Sequence, residues 1–317
     1  MFKLSFDIPE SKHKISLSDP ILLIGSCFSD EIGLKLSESK FNTLCNPFGT
    51  IYNPHSIFKL LSNLSKSNNV VESQGVQYHW DTHGKISGLN PQETIDLFEK
   101  INNETQNFLM QTNWLFITLG TAIVYERMNG DIVANCHKVP GGEFRKRFLN
   151  QDEIKRQFST LHTYLEKINP RLNIVFTVSP VRHIRDGLIE NNQSKAILID
   201  SIRSITENYP NTTYFPSYEI AMDELRDYRF FQEDRIHPTN EAIDYVWNRF
   251  IEAYLDKEAI GIIEEWSKLK AALHHRPFQP QSTAHQTFLK STLKKMEELN
   301  EKVDLSVEMN QLKQQIQ

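Results

Sequence analysis

Three short apolar runs, Ile21–Ile24, Trp114–Leu119 and Leu172–Val178, stop abruptly at Gly25, Gly120 and Ser179-Pro180. They are built almost wholly from leucine, β-branched and aromatic residues, with no polar alternation. That is the pattern of strands covered on both faces. Amphipathic stretches long enough for helices lie between and after them: Asp30–Ser37, His55–Leu64, Gln92–Met110, Asp152–Ile168, Arg185–Glu207 and Asn240–Leu255. Fully covered strands alternating with helices confine the chain to one class, a doubly wound α/β fold around a mainly parallel sheet. The alternation fills residues 1–256, read as one domain of a 317-residue chain.

Two insertions interrupt it. Val70–Asn90 reads as a loop or hairpin. Ile123–Met128 and Ile132–Asn135 flank Asn129-Gly130, which predicts a type I′ hairpin. Residues 257–317 differ in kind and read as a helical C-terminal extension. Pro277 and Pro280 mark a break near 276–284. Beyond Phe288, the residues Leu289, Leu293, Met296, Leu299 and Val303 recur every three or four positions, giving one apolar stripe. Two covers for that stripe stay open: the chain's own domain, or a second copy in self-association.

Composition narrows the partners. With 35 Lys+Arg against 40 Asp+Glu and a net charge of −5, a general binder of nucleic acid is not expected. No run of 18 apolar residues occurs, so no membrane span is expected. Met1–Glu10 lacks the apolar centre of a secretion signal. Cys27, Cys45 and Cys136 then read as free thiols of a cytoplasmic protein. No Gly-rich phosphate loop is present, so no nucleotide cofactor is expected. Cys27, Cys136, His137 and His237 show no CxxC or HxxxH spacing, so no metal site is expected.

Chemistry concentrates where strands end. Ile21-Leu22-Leu23-Ile24-Gly25-Ser26-Cys27-Phe28 reads as a strand, a tight turn and a helix start, at the carboxyl edge where α/β sheets bind ligands. Free N–H groups at a helix start favour a thiolate, an alkoxide or an oxyanion. Ser26 is equally readable as a helix cap and Cys27 as a small buried apolar residue. Far downstream, Asp234-Arg235-Ile236-His237-Pro238 sets a carboxylate and an imidazole three apart, the spacing of a general base with its orienting partner.

Gly25-Ser26-Cys27-Phe28-Ser29 resembles the GSCFA signature, with Ser29 in place of the final alanine. Asn135-Cys136-His137-Lys138-Val139-Pro140, Ser179-Pro180-Val181-Arg182-His183 and Asp234–Pro238 resemble further segments of that family, over roughly residues 20–255. The GSCFA family is grouped with the SGNH (GDSL-like) esterases and acyltransferases. The resemblance implies a flavodoxin-like three-layer α/β/α fold and ester chemistry on an O-acylated carbohydrate or small metabolite. It also implies nucleophile, Asp and His in that chain order. By block position the nucleophile is Cys27; Ser26 takes the role if the turn is shifted by one residue. Gly49 matches the block whose N–H joins the oxyanion hole. The block that normally reads Gly-x-Asn is Gly120-Thr121-Ala122 here, which leaves Thr121 as the substitute donor and the Asn missing. Asn135, His137, Arg182 and His183 are implied substrate contacts. His137 is also readable as a second base or a structural residue, and Arg182 as a clamp for an anion or a partner of Asp186 or Glu190. Tyr78–His83 reads as a lid or as packing. The missing Asn supports an alternative, a ligand-binding module on the same scaffold without turnover.

Overall fold

The computed structural model describes residues 4–275 and 277–316. Met1–Lys3, part of the N-terminal segment read above, lie outside the described residues. So do Gln317 and position 276, at the head of the expected break.

The strands are β1 (Ile21–Gly25), β2 (Thr43–Cys45), β3 (Val70–Ser73), β4 (Val76–His79), β5 (Ser87–Gly88), β6 (Trp114–Leu119), β7 (Ile123–Arg127), β8 (Ile132–Val133), β9 (Phe144–Phe148), β10 (Asn173–Val178) and β11 (Thr212–Tyr214). The helices are α1 (Cys27–Glu38), α2 (Pro54–Leu61), α3 (Pro91–Leu109), α4 (Gln151–Ile168), α5 (Leu188–Asn208), the short α6 (Ser217–Glu219), α7 (Asn240–Tyr254), α8 (Lys257–Leu273), α9 (Thr283–Asn300) and α10 (Ser306–Lys313). The central sheet has the order β11-β10-β6-β1-β2, and every pair in it is parallel.

The near-continuous apolar strands have cover on both sides, as their composition requires. Leu22 and Ile24 of β1, Leu115, Ile117 and Leu119 of β6, and Ile174, Phe176 and Val178 of β10 enter one core with α2, α3, α4 and α5. Ile21 and Leu23, Trp114 and Phe116, and Val175 point the other way, into a core with α1 and α7. The period-2 pleat thus builds three layers from one strand set.

The structure adds what periodicity missed. β2 and β11 are three residues each and extend the sheet at its two edges. α1 starts at Cys27 rather than Asp30, because the Ser26 hydroxyl accepts the Phe28 N–H and caps it. α5 starts at Leu188 rather than Arg185, because Ile184–Asp186 forms a separate turn closed by Gly187 at φ +101°. The Asn129-Gly130 hairpin is not type I′. Gly130 is left-handed at φ +91° but Asn129 is not, and the Gly130 N–H donates to the Arg127 carbonyl at 2.8 Å. A three-residue loop with glycine in the left-handed position results. β7 also pairs with β9, so the hairpin is one side of a three-stranded sheet. Val70–Asn90 holds a second, β3-β4-β5.

The C-terminal stripe is covered by its own chain. Leu289, Met296, Leu299 and Val303 pack with Ile262, Trp266 and Leu269 of α8 and Met309 and Leu312 of α10. Of the two covers left open for the stripe, the chain's own helices supply the one seen here. α8 joins this cluster to the main body, since Ala259 faces the α1/α7 core and Trp266 Nε1 donates to the Glu38 carbonyl at 2.8 Å. Among the described residues no helix is long and apolar enough to cross a membrane.

Candidate active site

The turn after β1 is fixed from three sides. Gly25 stands at φ +142°, and a Cβ there would lie 2.1 Å from the Thr118 carbonyl oxygen. The Ser26 N–H donates to that same carbonyl at 3.1 Å. Asn46 reaches in from the strand β2 side. Its Oδ1 accepts the Gly25 N–H at 2.8 Å, and its Nδ2 donates to Asp30 Oδ1 at 2.8 Å.

This geometry separates the two nucleophile candidates. Ser26 is 1 % exposed and its hydroxyl oxygen is the cap of α1. Cys27 is half-buried, at the first position of that helix. Burial pushes the Cys27 thiol above its ordinary range, and the Asp30 and Glu31 carboxylates add to that rise. The N–H groups of Cys27 and Phe28 oppose it. The helix start therefore does not by itself make a thiolate, and the thiol needs a base.

Parallel strands put their carboxyl ends at one edge, so the turns after β1, β6, β10 and β11 share that edge. The loop between β11 and α7 carries Asp234 and His237. The His237 Nδ1–H donates to Asp234 Oδ2 at 2.6 Å. Asp234 Oδ1 accepts the N–H groups of Ile236 and His237 at 2.8 and 3.0 Å. The imidazole bond, then these backbone bonds, hold the Asp234 carboxyl down to about 2. With Nδ1 donating, Nε2 of the neutral ring is left as the proton acceptor. Among the described residues, no hydrogen bond joins Cys27 or Ser26 to His237.

A cleft of about 790 Å³ opens beside the pair, lined by Arg182, Tyr218, Met222, Tyr228, Asp234 and Ile236, among others. Arg182 donates to Asn192 Oδ1 and contacts Met222 Sδ, both at 3.1 Å. It has no carboxylate in ion-pair range among the described residues, and Asp186 pairs instead with Lys146 at 3.2 Å. His183 sets its ring edge-on to Tyr52, with centroids 4.7 Å apart. Burial holds His183 down to about 4, so it is neutral at pH 7. Its backbone N–H donates to Asn191 Oδ1 at 2.9 Å.

Four other expected residues make hydrogen bonds within the scaffold. The Gly49 N–H donates to the Asn46 carbonyl at 2.8 Å, and a Cβ on Gly49 would lie 2.4 Å from His83, so Gly49 closes a tight turn instead of offering a free oxyanion donor. The Thr121 N–H donates to the Tyr52 carbonyl at 3.0 Å, and its hydroxyl lies 3.0 Å from Ser194 Oγ while accepting the Ile123 N–H. The Thr121 N–H is thus engaged inside the scaffold, and its hydroxyl is held in contact with Ser194. His137 is buried, stacked on Tyr78, and its Nε2 donates to the His79 carbonyl at 2.9 Å. Burial pushes it down to about 4, which unfits it as a base near neutrality. Asn135 Oδ1 accepts the His137 N–H at 2.9 Å and supports the left-handed pair His137 and Lys138. The Tyr78–His83 stretch is packing: Asp81 is fully buried and receives hydrogen bonds from Lys59, Ser65 and Asn69.

Sequence reasoning overlooked three residues at this edge. Asn46 was visible only as part of the Asn46-Pro47-Phe48-Gly49 turn. Tyr52 carried no signal. Lys195 did: it falls on the row of Leu198, Ile202 and Ile205 along α5, where a charge is out of place. Among the described residues, no group of three or more His, Cys, Asp or Glu side chains is arranged to hold a metal ion.

Fold and site together define an α/β protein with a doubly wound parallel sheet, a thiol-bearing turn after its first strand and an Asp–His pair at the same edge. The GSCFA family model matches residues 20–250, and the model of the GSCFA C-terminal domain matches residues 266–317. The chain belongs to the GSCFA family. Among solved structures it is similar to an acetyl esterase mutant holding acetate, at 8 % identity and TM-score 0.38, over 78 % of this chain and 99 % of that one. It is also similar to a putative platelet activating factor from Streptococcus pneumonia, at 13 % identity and TM-score 0.39, over 75 % and 85 % of the two chains. A third is an acetyl xylan esterase from Butyrivibrio proteoclasticus, at 9 % identity and TM-score 0.39, over 75 % and 63 %. No curated protein sequence matches.

Proposed function

We propose that the chain is an esterase or acyltransferase that acts through Cys27, His237 and Asp234 on an O-acylated carbohydrate or small metabolite. Residues 1–256 form the catalytic unit in this reading and 257–317 a helical extension. The observation that carries it is the Asp234–His237 pair, closed at 2.6 Å with Nε2 left as acceptor, beside a cleft on the edge that also bears the Cys27 turn. In the proposed reaction His237 Nε2 takes the Cys27 proton while Sγ bonds to the ester carbonyl carbon. The tetrahedral intermediate collapses, the C–O bond breaks, and His237 returns the proton to the leaving alkoxide. Water or an acceptor hydroxyl then attacks the thioester, again giving its proton to His237, and the thiol is regenerated. Asp234 stays ionised throughout and steadies the imidazolium. Closure of Cys27 onto His237 belongs to the substrate-bound state, as catalytic hydrogen bonds commonly tighten there.

The test separates the two adjacent residues. With 4-nitrophenyl acetate, Cys27→Ala is expected to lose turnover by at least about a hundredfold. Ser26→Ala is expected to stay within about tenfold while losing roughly 1 kcal/mol of stability with its helix cap. Equal losses in both variants, or full activity in Cys27→Ala, contradict the assignment. A second reading rests on the engaged backbone N–H groups of Gly49 and Thr121: a ligand-binding module that binds esters without cleaving them. It predicts no turnover in the unmodified protein.

A further inference from the structure

Lys195 is 1 % exposed and points from α5 to the carboxyl edge of the sheet. A buried ammonium is costly unless its protons find acceptors. Two of them do: Nζ donates to the Gly120 and Ser179 carbonyls, each at 2.7 Å. These residues directly follow β6 and β10, which are neighbours in the sheet. Nζ also stands 5.9 Å from the centre of the Tyr218 ring. The ammonium therefore ties two strand ends together where the turns bearing Thr121 and Arg182 depart. On the far side of β6 lies β1, whose Gly25 pairs with Thr118 and leads into Cys27.

A tie between two carbonyls could be made by a neutral amide at far smaller desolvation cost. Here it is an amine that carries charge below neutrality, with no carboxylate in ion-pair range among the described residues. We propose that Lys195 is a positioning residue of this site: its buried charge clamps the ends of β6 and β10 and biases the neighbouring Cys27 towards thiolate. The inference rests on the reading of Cys27 as the nucleophile. The register Gly25–Thr118 sets the Cys27 turn beside the strand end that Lys195 holds through Gly120. Burial, then the Arg182 guanidinium, lower Lys195 to about 7, and Cys27 pulls the other way. The charge is also felt at His183, which it lowers. Around Cys27, Asp30 and Glu31 push the opposite way, and Tyr52 feels both Cys27 and Asp30.

The test reads the thiol directly and needs no ester. Alkylation of Cys27 by iodoacetamide is followed by mass spectrometry on the full chain, with Cys136 as internal reference, in wild type, Lys195→Met and Lys195→Arg. At about pH 6, where the ammonium is charged, Lys195→Met is expected to react about threefold or more slower than wild type, and Lys195→Arg to recover to within about twofold. A purely structural role gives the opposite sign, since a loosened turn exposes the thiol and speeds alkylation. In wild type the rate is expected to climb less than about tenfold per pH unit as the ammonium discharges near neutrality. The proposal is overturned if folded Lys195→Met reacts as fast as wild type or faster. If that variant does not fold, an unbroken tenfold-per-unit climb in wild type overturns it. Loss of the esterase reading itself would appear separately, as turnover surviving in Cys27→Ala.

Discussion

His237→Ala is expected to lower turnover of a short-chain aryl ester by about 10²–10⁴. The size of the effect follows from the state of the thiol. Burial and the Asp30 and Glu31 carboxylates keep Cys27 protonated at neutral pH. Two other imidazoles near this edge are poor substitutes. His137 and His183 are both held at about 4 by burial, so proton transfer from a raised thiol to either is steeply uphill. His237 is half-exposed, and its removal leaves Asp234 still bonded to the Ile236 N–H. The variant is therefore expected to keep the wild-type melting temperature. Undiminished turnover in a folded His237→Ala protein removes the imidazole from the mechanism.

Gly25→Ala is expected to cost about 4 kcal/mol or more, a fall of roughly 10 °C in Tm for a chain of this size. The new Cβ would meet the Thr118 carbonyl oxygen at 2.1 Å and its carbon at 2.8 Å, both backbone atoms of the adjoining strand. Relief requires β1 and β6 to part where the Ser26 N–H bonds the same carbonyl. The φ of +142° adds strain that any L side chain feels. Gly261→Ala is the matched control, because it lies within α8 and a Cβ there meets nothing within 4 Å. A Gly25→Ala protein that melts with the control contradicts the tight-turn account.

What the sequence disclosed follows from how strongly each element was patterned. β1, β6 and β10 carry residues buried on both faces, so their composition announced a covered parallel sheet. β2 and β11 have only three residues, too few for a period to show. The helix registers were legible from their apolar rows, but the starts of α1 and α5 depended on local turn chemistry, a serine cap and a left-handed Gly187. The Asp234–His237 spacing was readable because both partners lie on one short loop. The oxyanion donors were not, because donor availability depends on bonds across the fold. Gly49 is engaged by Asn46 and Thr121 by Tyr52 and Ser194, none of which spacing reveals. Lys195 was legible in principle as a charge on an apolar helix row, but its acceptors lie at two strand ends remote in sequence.

The most direct measurement asks where an acyl group goes. Wild-type protein mixed with excess 4-nitrophenyl acetate and quenched in acid is analysed by peptide mass spectrometry. The proposed chemistry predicts one acetyl group per chain on the peptide holding residues 26 and 27, localised to the Cys27 sulfur and vanishing in Cys27→Ala. An acetyl group on the Ser26 oxygen, or steady turnover with neither residue ever labelled, contradicts it.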